Sequence, residues 1–220
     1  MSSQSISVEH APFSPSQPGW LKMDDDAIIS AYKKRHASDL GTELHEWASV
    51  QINLGNKVSS GKEVEKGIRT HIYEKYRRSE FESYRQVLLK AAMYLPSQSF
   101  ATVKTFVNDS IGYRMASEVR LEYSDYIFGT ADAIRCENNL LRVFDLKTGV
   151  TPAKMEQLFV YAGLFCLETK THPADLDFET RIYQSDDIYT ETPDSCLIED
   201  IMERIVHVDN VLTKLERGRR

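Results

Sequence analysis

Two aspartates thirteen positions apart, Asp132 in G-T-A-D and Asp145 in V-F-D-L-K, lie in segments that read as the two strands of one hairpin. Asp125 to Arg135 and Leu140 to Lys147 are both rich in aromatic and β-branched side chains. Glu137-Asn138-Asn139 between them is a turn signal, because Asn tolerates positive φ. With Asn138 and Asn139 as the loop, Asp132 pairs with Asp145 and Thr130 with Lys147. Directly opposed residues share one face of a sheet, with Cβ atoms about 4.5–5.5 Å apart. Lys147 joins that face because strand side chains repeat every two residues. Two carboxylates and an ammonium at a sheet end make a place for a hard cation.

A D-x-K triplet alone carries little information, and Glu168-Thr169-Lys170 at a predicted helix end is assigned no function. Context separates Asp145-Leu146-Lys147 from it: an apolar strand, an acid on the hairpin partner and a Thr148-Gly149 break. Strand interiors disfavour Asp and Lys. Burying the three together is costly unless they serve one another, as an ion triad at a sheet edge, or a cation. Gln157 and Tyr161 in Q-L-F-V-Y-A are four apart and share a helix face. A helix packed back on the strands can present both polar tips to Asp145. His45 in G-T-E-L-H-E sits on a helix among acids, and neutral imidazole is a common metal ligand.

The elements that position these residues fall in a simple order. Residues 1–23 read as irregular and 24–220 as a single domain, helical to about residue 110 and sheet-based beyond. Helices are predicted over Asp24–Arg35, from Gly41 or Thr42 to Leu54, and over Lys62–Arg77, Glu80–Leu95 and Phe100–Asn108, from apolar spacing and charged ends. Tyr113–Tyr123, Tyr126–Arg135 and Leu140–Lys147 then form an antiparallel meander. A helix from Thr151-Pro152 to about Leu167 follows, with proline near its first position. Asp177–Gln184 is a fourth strand, and an amphipathic helix opens at Thr192-Pro193-Asp194. The fold class is α+β, with a mixed central sheet.

Composition narrows the function classes. The chain has 220 residues, 41% hydrophobic and 27% charged, enough to bury a sizeable core. Nothing approaches the apolar run of a membrane span, and the N-terminus lacks a secretory pattern. No membrane association and a cytoplasmic setting are the expectation. Cys136, Cys166 and Cys196 are dispersed and odd in number, fitting neither a disulfide framework nor a four-cysteine cluster. Net charge is −6, against the basic footprint usual for nucleic-acid binders. The clumps Lys33-Lys34-Arg35, Lys75 with Arg77-Arg78, and Arg217, Arg219, Arg220 read as solvated helix faces or ends. No G-x-S-x-G elbow and no G-x-x-x-x-G-K-[S/T] loop occur.

Taken together, the motifs resemble the PD-(D/E)XK nuclease superfamily, in particular its RecB-like and phage exonuclease branch, over about residues 40–185. The α-β-β-β-α-β order is that of the family's restriction-endonuclease-like core. The resemblance implies that Gly41 to His45 supplies a metal-binding His45. It makes Gly129 to Asp132 the source of one carboxylate ligand. Asp145 becomes a second ligand, Lys147 the catalytic lysine, and Gln157 and Tyr161 contacts to a DNA end. Glu118 stands where some members carry an extra acid. The opening His10 to Ser16, H-A-P-F-S-P-S, is similar to the start of an uncharacterised phage-associated group of this branch. The iron–sulfur cysteines of several relatives are missing, so no cluster is expected.

The implied activity is a metal-dependent deoxyribonuclease, an exonuclease on DNA ends in phage-type recombination or replication, working in the bacterial host cytoplasm. One or two Mg²⁺ or Mn²⁺ ions would be held by Asp132, Asp145, His45 and the Leu146 carbonyl. A structure-specific endonuclease is the rival within the class, and a non-catalytic DNA- or partner-binding module the rival outside it. A single-strand annealing or replication protein is the kind of partner implied. Polarity, strand preference and oligomeric state stay open.

Overall fold

The computed structural model describes Phe13, Pro15 and residues 18–149 and 152–217. Most of the H-A-P-F-S-P-S segment, Thr151, and Arg219 with Arg220 of the basic tail therefore lie outside the described residues.

After a 3-10 turn at Pro18–Lys22 comes α1 (Asp25–Leu54). Asp24 caps it by accepting the Ala27 amide at 2.8 Å, and Gly55 ends it in the left-handed region at φ 67. The sequence predicts two helices here, and the structure has one. His36 and Leu40 are buried across the expected gap, and no proline interrupts it, so packing carries the helix through. Next come α2 (Gly61–Lys75), α3 (Glu82–Tyr94) and α4 (Ser97–Gly112). The last outruns its predicted end. Arg114 at φ 56 takes the left-handed position usual for glycine, and the Met115 amide donates to Ser110 at 2.8 Å. That closure delays the first strand to Ala116.

The sheet is built from β1 (Ala116–Ser124), β2 (Ile127–Glu137), β3 (Leu140–Lys147), β4 (Asp177–Gln184) and β5 (Asp187–Glu191), in that order across it. Only β3 and β4 run parallel, joined by α5 (Glu156–Thr169), and α6 (Ser195–Arg217) closes the described chain. Among the described residues six α-helices and a mixed five-stranded sheet make an α+β fold. The β2–β3 register follows the predicted pairing from Glu137–Leu140 to Ala133–Phe144, with Asn138 and Asn139 at φ 52 and 61. These are the positive values a two-residue hairpin loop needs. The strand β5 adds to the predicted set. All its residues are exposed, so it lacks the alternation that marks a half-buried strand, although Ser185-Asp186 (φ 55 and 68) makes the same kind of turn.

Two cores sandwich the sheet. Leu44, Ile68, Leu88 and Phe106 from α1 to α4 pack with Phe144, Leu146 and Tyr183 on one face. Leu158, Ala162 and Ile198 from α5 and α6 pack with Leu141, Val143 and Ile182 on the other. The site residues lie where α1 and α5 approach the β1–β2–β3 rim. Among the described residues no helix is long and apolar enough to cross a membrane.

Candidate metal centre

The site begins at an irregularity in the sheet. The β2–β3 ladder stops at Ala133–Phe144, and the β1–β2 ladder skips the Glu118/Asp132 step while pairing on both sides of it. Glu118 takes a left-handed φ of 52 within its strand. Ala131 and Ile134 both pack on the α5 side whereas Ala133 packs on the α1 side, so the alternation of β2 changes phase at Asp132. Such irregularities re-aim single side chains. The predicted Asp132–Asp145 backbone pair is accordingly replaced by a side-chain bond. Asp132 Oδ2 accepts the Leu146 amide at 2.8 Å. Leu146, expected to offer its carbonyl, thus meets Asp132 through its amide.

On the α1 side, His45 Nδ1 lies 3.2 Å from Asp132 Oδ1. Gly41, one turn earlier, explains the approach: a Cβ there would fall 2.9 Å from Thr148 Oγ1, just after Lys147. His45, Glu118 and Asp132 each offer a ligand atom, and these atoms lie within 4.8 Å of one another. Glu118, whose register is ambiguous in the sequence, therefore belongs to the site. Burial, then the charge of Asp132, holds the Glu118 carboxyl above its usual range. Burial lowers the His45 imidazole, but its bond to Asp132 and the charges of Asp132, Asp145 and Glu118 outweigh that and raise it.

Asp145 sits outside this trio and faces Lys147. Its side chain is buried, with Lys147 Nζ donating to Oδ1 at 3.0 Å and lying 2.9 Å from Oδ2 without a hydrogen-bonding angle. Oδ2 is therefore a buried oxygen with no hydrogen-bond partner among the described residues. Burial and then the nearby Asp132 charge push the Asp145 carboxyl up to about 6, despite Lys147. From Lys147 a relay continues along α5. Nζ donates to Gln157 Oε1 at 3.1 Å, and Gln157 Nε2 donates to the Tyr161 hydroxyl at 3.3 Å. Gly129 makes room for that tyrosine, since a Cβ would fall 2.9 Å from Tyr161 Cε1.

Two supporting residues stand outside the sequence-predicted set. Gln184 is buried at the end of β4, donating to Gly149 O at 2.6 Å and accepting the Ala153 amide at 3.2 Å. It ties Gly149 and Ala153 to β4, and α5 starts at Glu156, four residues past Pro152. Its signal in the sequence is a polar residue directly after the apolar Ile182-Tyr183 at the end of a predicted strand. Glu43, also buried, accepts from Tyr76 at 2.7 Å and from Lys75 at 3.1 Å and lies 3.1 Å from His71 Nε2, clamping α1 to α2 beside His45. Lys75 belongs to that clamp and also meets Glu46, so it is not the solvated charge its clump suggests. Glu43, Glu46 and His71 could ligate a metal by proximity, but Lys75 and Tyr76 already answer their charge.

An imidazole and clustered carboxylates, with the buried Asp145–Lys147 pair beside them, form a donor set suited to a hard divalent cation. The nitrogen ligand favours Mn²⁺ somewhat over Mg²⁺. A pH dependence follows. Asp145, Glu118 and His45 all have folded-state values raised above those of the unfolded chain. The native state then binds more protons, and metal-free stability declines as pH rises through these groups. Glu43 has the opposite sign, but its lowered value acts only below the ordinary carboxylate range. The melting temperature of metal-free protein is expected to fall between pH 5 and pH 8, with Mn²⁺ raising it more at pH 8. Equal Mn²⁺ shifts at both pH values would contradict this.

No curated protein and no solved structure matches the chain. A family model described as "Protein of unknown function (DUF2800)" matches residues 10–170, from before α1 to just past α5. His45, Glu118, Asp132, Asp145, Lys147, Gln157 and Tyr161 all fall within that span, and the chain belongs to the DUF2800 family.

Proposed function

We propose that this chain is a metal-dependent deoxyribonuclease of the PD-(D/E)XK type that hydrolyses phosphodiester bonds at DNA ends. The observation that carries the reading is the meeting of His45, Glu118 and Asp132 within 4.8 Å, beside the Asp145–Lys147–Gln157–Tyr161 chain. A purely structural ion triad of Asp132, Asp145 and Lys147 accounts less well for the left-handed Glu118 beside it, a conformation that costs stability.

In this reading His45, Asp132 and Glu118 hold the cation, with Asp145 at its border. Bound there, Mg²⁺ or Mn²⁺ supplies charge neutralisation at the phosphoryl oxygens and a more acidic water. Lys147 has three N–H donors, and Asp145 and Gln157 take two of them. The third is available to orient the attacking water or to meet charge developing on phosphorus-bound oxygen. Gln157 donates to the Tyr161 oxygen, which leaves the phenol proton free to donate to a phosphate. A single-strand annealing or replication protein is the partner such an enzyme would work beside.

The direct test compares end-labelled linear DNA with covalently closed circles, with Mg²⁺ or Mn²⁺ and with chelator. Linear substrate should be degraded from its ends only when metal is present, and circles spared. Cleavage of circles would replace the exonuclease reading with an endonuclease one. No metal-dependent hydrolysis of any DNA would overturn the proposal.

A further inference from the structure

The helix α2 sorts its charges by face in a way its linear sequence hides. Val64, Ile68 and Ile72 are buried, while His71 and Lys75 reach Glu43 on α1. An open groove of about 600 Å³, lined also by Glu65, Thr70 and, on its other wall, Leu89 of α3, is bordered by Lys62, Lys66, Arg69 and Tyr73. Their spacing, three or four residues at each step, makes one stripe about 16 Å long. Arg69 meets only Glu65, at 3.9 Å with both side chains well exposed, which neutralises little. Lys62 and Lys66 have no ion-pair partner among the described residues. In a chain of net charge −6, three like charges one turn apart repel, with the exposed Glu65 carboxylate as the one acid among the described residues that line the same groove. Tyr73, 54% exposed, ends the stripe, with the Arg85 guanidinium 5.0 Å from its ring centroid.

We propose that this groove binds a single strand of DNA, with Lys62, Lys66 and Arg69 on phosphates and Tyr73 stacked under a base. The choice of DNA as the polyanion rests on the nuclease reading. The single strand follows from Tyr73. An exposed aromatic ring beside a cationic track suits unpaired bases, whose faces are free to stack. The Glu43 clamp engages His71 and Lys75 on the opposite face of α2, so the stripe is turned away from α1 and toward α3.

The test uses the full chain in chelator, so that no turnover occurs, with fluorescence anisotropy of labelled single-stranded and duplex oligonucleotides over a salt series. A Lys62→Gln, Lys66→Gln, Arg69→Gln triple variant should lose at least about tenfold in single-strand affinity near 0.1 M salt. Its slope of log K against log salt should be shallower by about 2, as expected for three lost phosphate contacts. Tyr73→Ala should lose about fivefold or more on single strands, with the slope kept and duplex binding unmoved. Should the triple variant fold poorly, Tyr73→Ala tests the site alone. Unchanged affinity and slope, or a preference for duplex insensitive to Tyr73, would overturn the assignment. Among the outcomes that overturn it is a groove serving an acidic protein, which leaves DNA binding intact in both variants. The two readings fail separately. Metal-dependent cleavage with no groove effect removes only the groove. Single-strand binding through the groove without cleavage removes only the nuclease.

Discussion

Replacing Lys147 with alanine is expected to lower metal-dependent DNA cleavage about a thousandfold while leaving the Mn²⁺ affinity at pH 8 within about tenfold of wild type. The asymmetry comes from where the lysine sits. It touches Asp145 and Gln157, whereas the ligand atoms of His45, Glu118 and Asp132 cluster without it. Losing the ammonium removes the donor aimed at substrate and frees Gln157 Oε1, so the Tyr161 hydroxyl is less well placed. It also takes away the cation that holds the Asp145 carboxyl down, so the pH below which metal binding weakens should rise. Calorimetric Mn²⁺ titration beside a labelled-DNA assay separates these effects. Retention of a tenth or more of the cleavage rate would mean that Lys147 has been given the wrong role.

Asp132→Ala should abolish metal binding in the accessible range, a loss of more than about 100-fold, because even supporting residues around a metal ligand typically account for 10–100-fold. Its effect on folding should be smaller, because two terms oppose. The Leu146 amide would lose its acceptor, at a cost of about 1–3 kcal/mol. Against this, Asp145 and Glu118 would be relieved of the Asp132 charge that raises both. Asp132→Asn, which can still accept the amide bond, should fold at least as well as wild type and still lose the metal. In both variants the melting temperature should cease to respond to Mn²⁺. A variant that bound Mn²⁺ like wild type would place the ion elsewhere, and the Glu43–Glu46–His71 group would then be the first place to look.

How much can be read from the chain depends on distance along it. Asn138-Asn139 and the flanking alternation fix the β2–β3 hairpin locally, and its register follows as far as Ala133. The Q-L-x-x-Y spacing places Gln157 and Tyr161 on one face of α5 by helical period alone, and the two do meet. Local rules fail at the next residue pair. Asp132 leaves the ladder because Glu118 opposite adopts φ 52, a conformation no propensity of glutamate announces. The continuity of α1 through His36 and Leu40 is hidden for a related reason: burial by distant helices supports a stretch with no strong helical pattern of its own. The stripe of Lys62, Lys66, Arg69 and Tyr73 is open to a helical-period reading but is masked in the linear order by Glu63 and Glu65.

Short-range rules were thus enough for the α+β class, for the hairpin carrying Asp132 and Asp145, and for which side chains are capable of metal and phosphate chemistry. Turn chemistry and side-chain period act over a few residues and need no partner. The folded chain was needed to bring His45 on α1 to Asp132 on β2, to add Glu118 to them, and to turn Asp145 toward Lys147. Those meetings depend on how α1 and the sheet bury their apolar faces against each other, with Gly41 setting how closely the helix can come to Thr148. Such burial is a sum over residues far apart in the chain, and no short segment contains it.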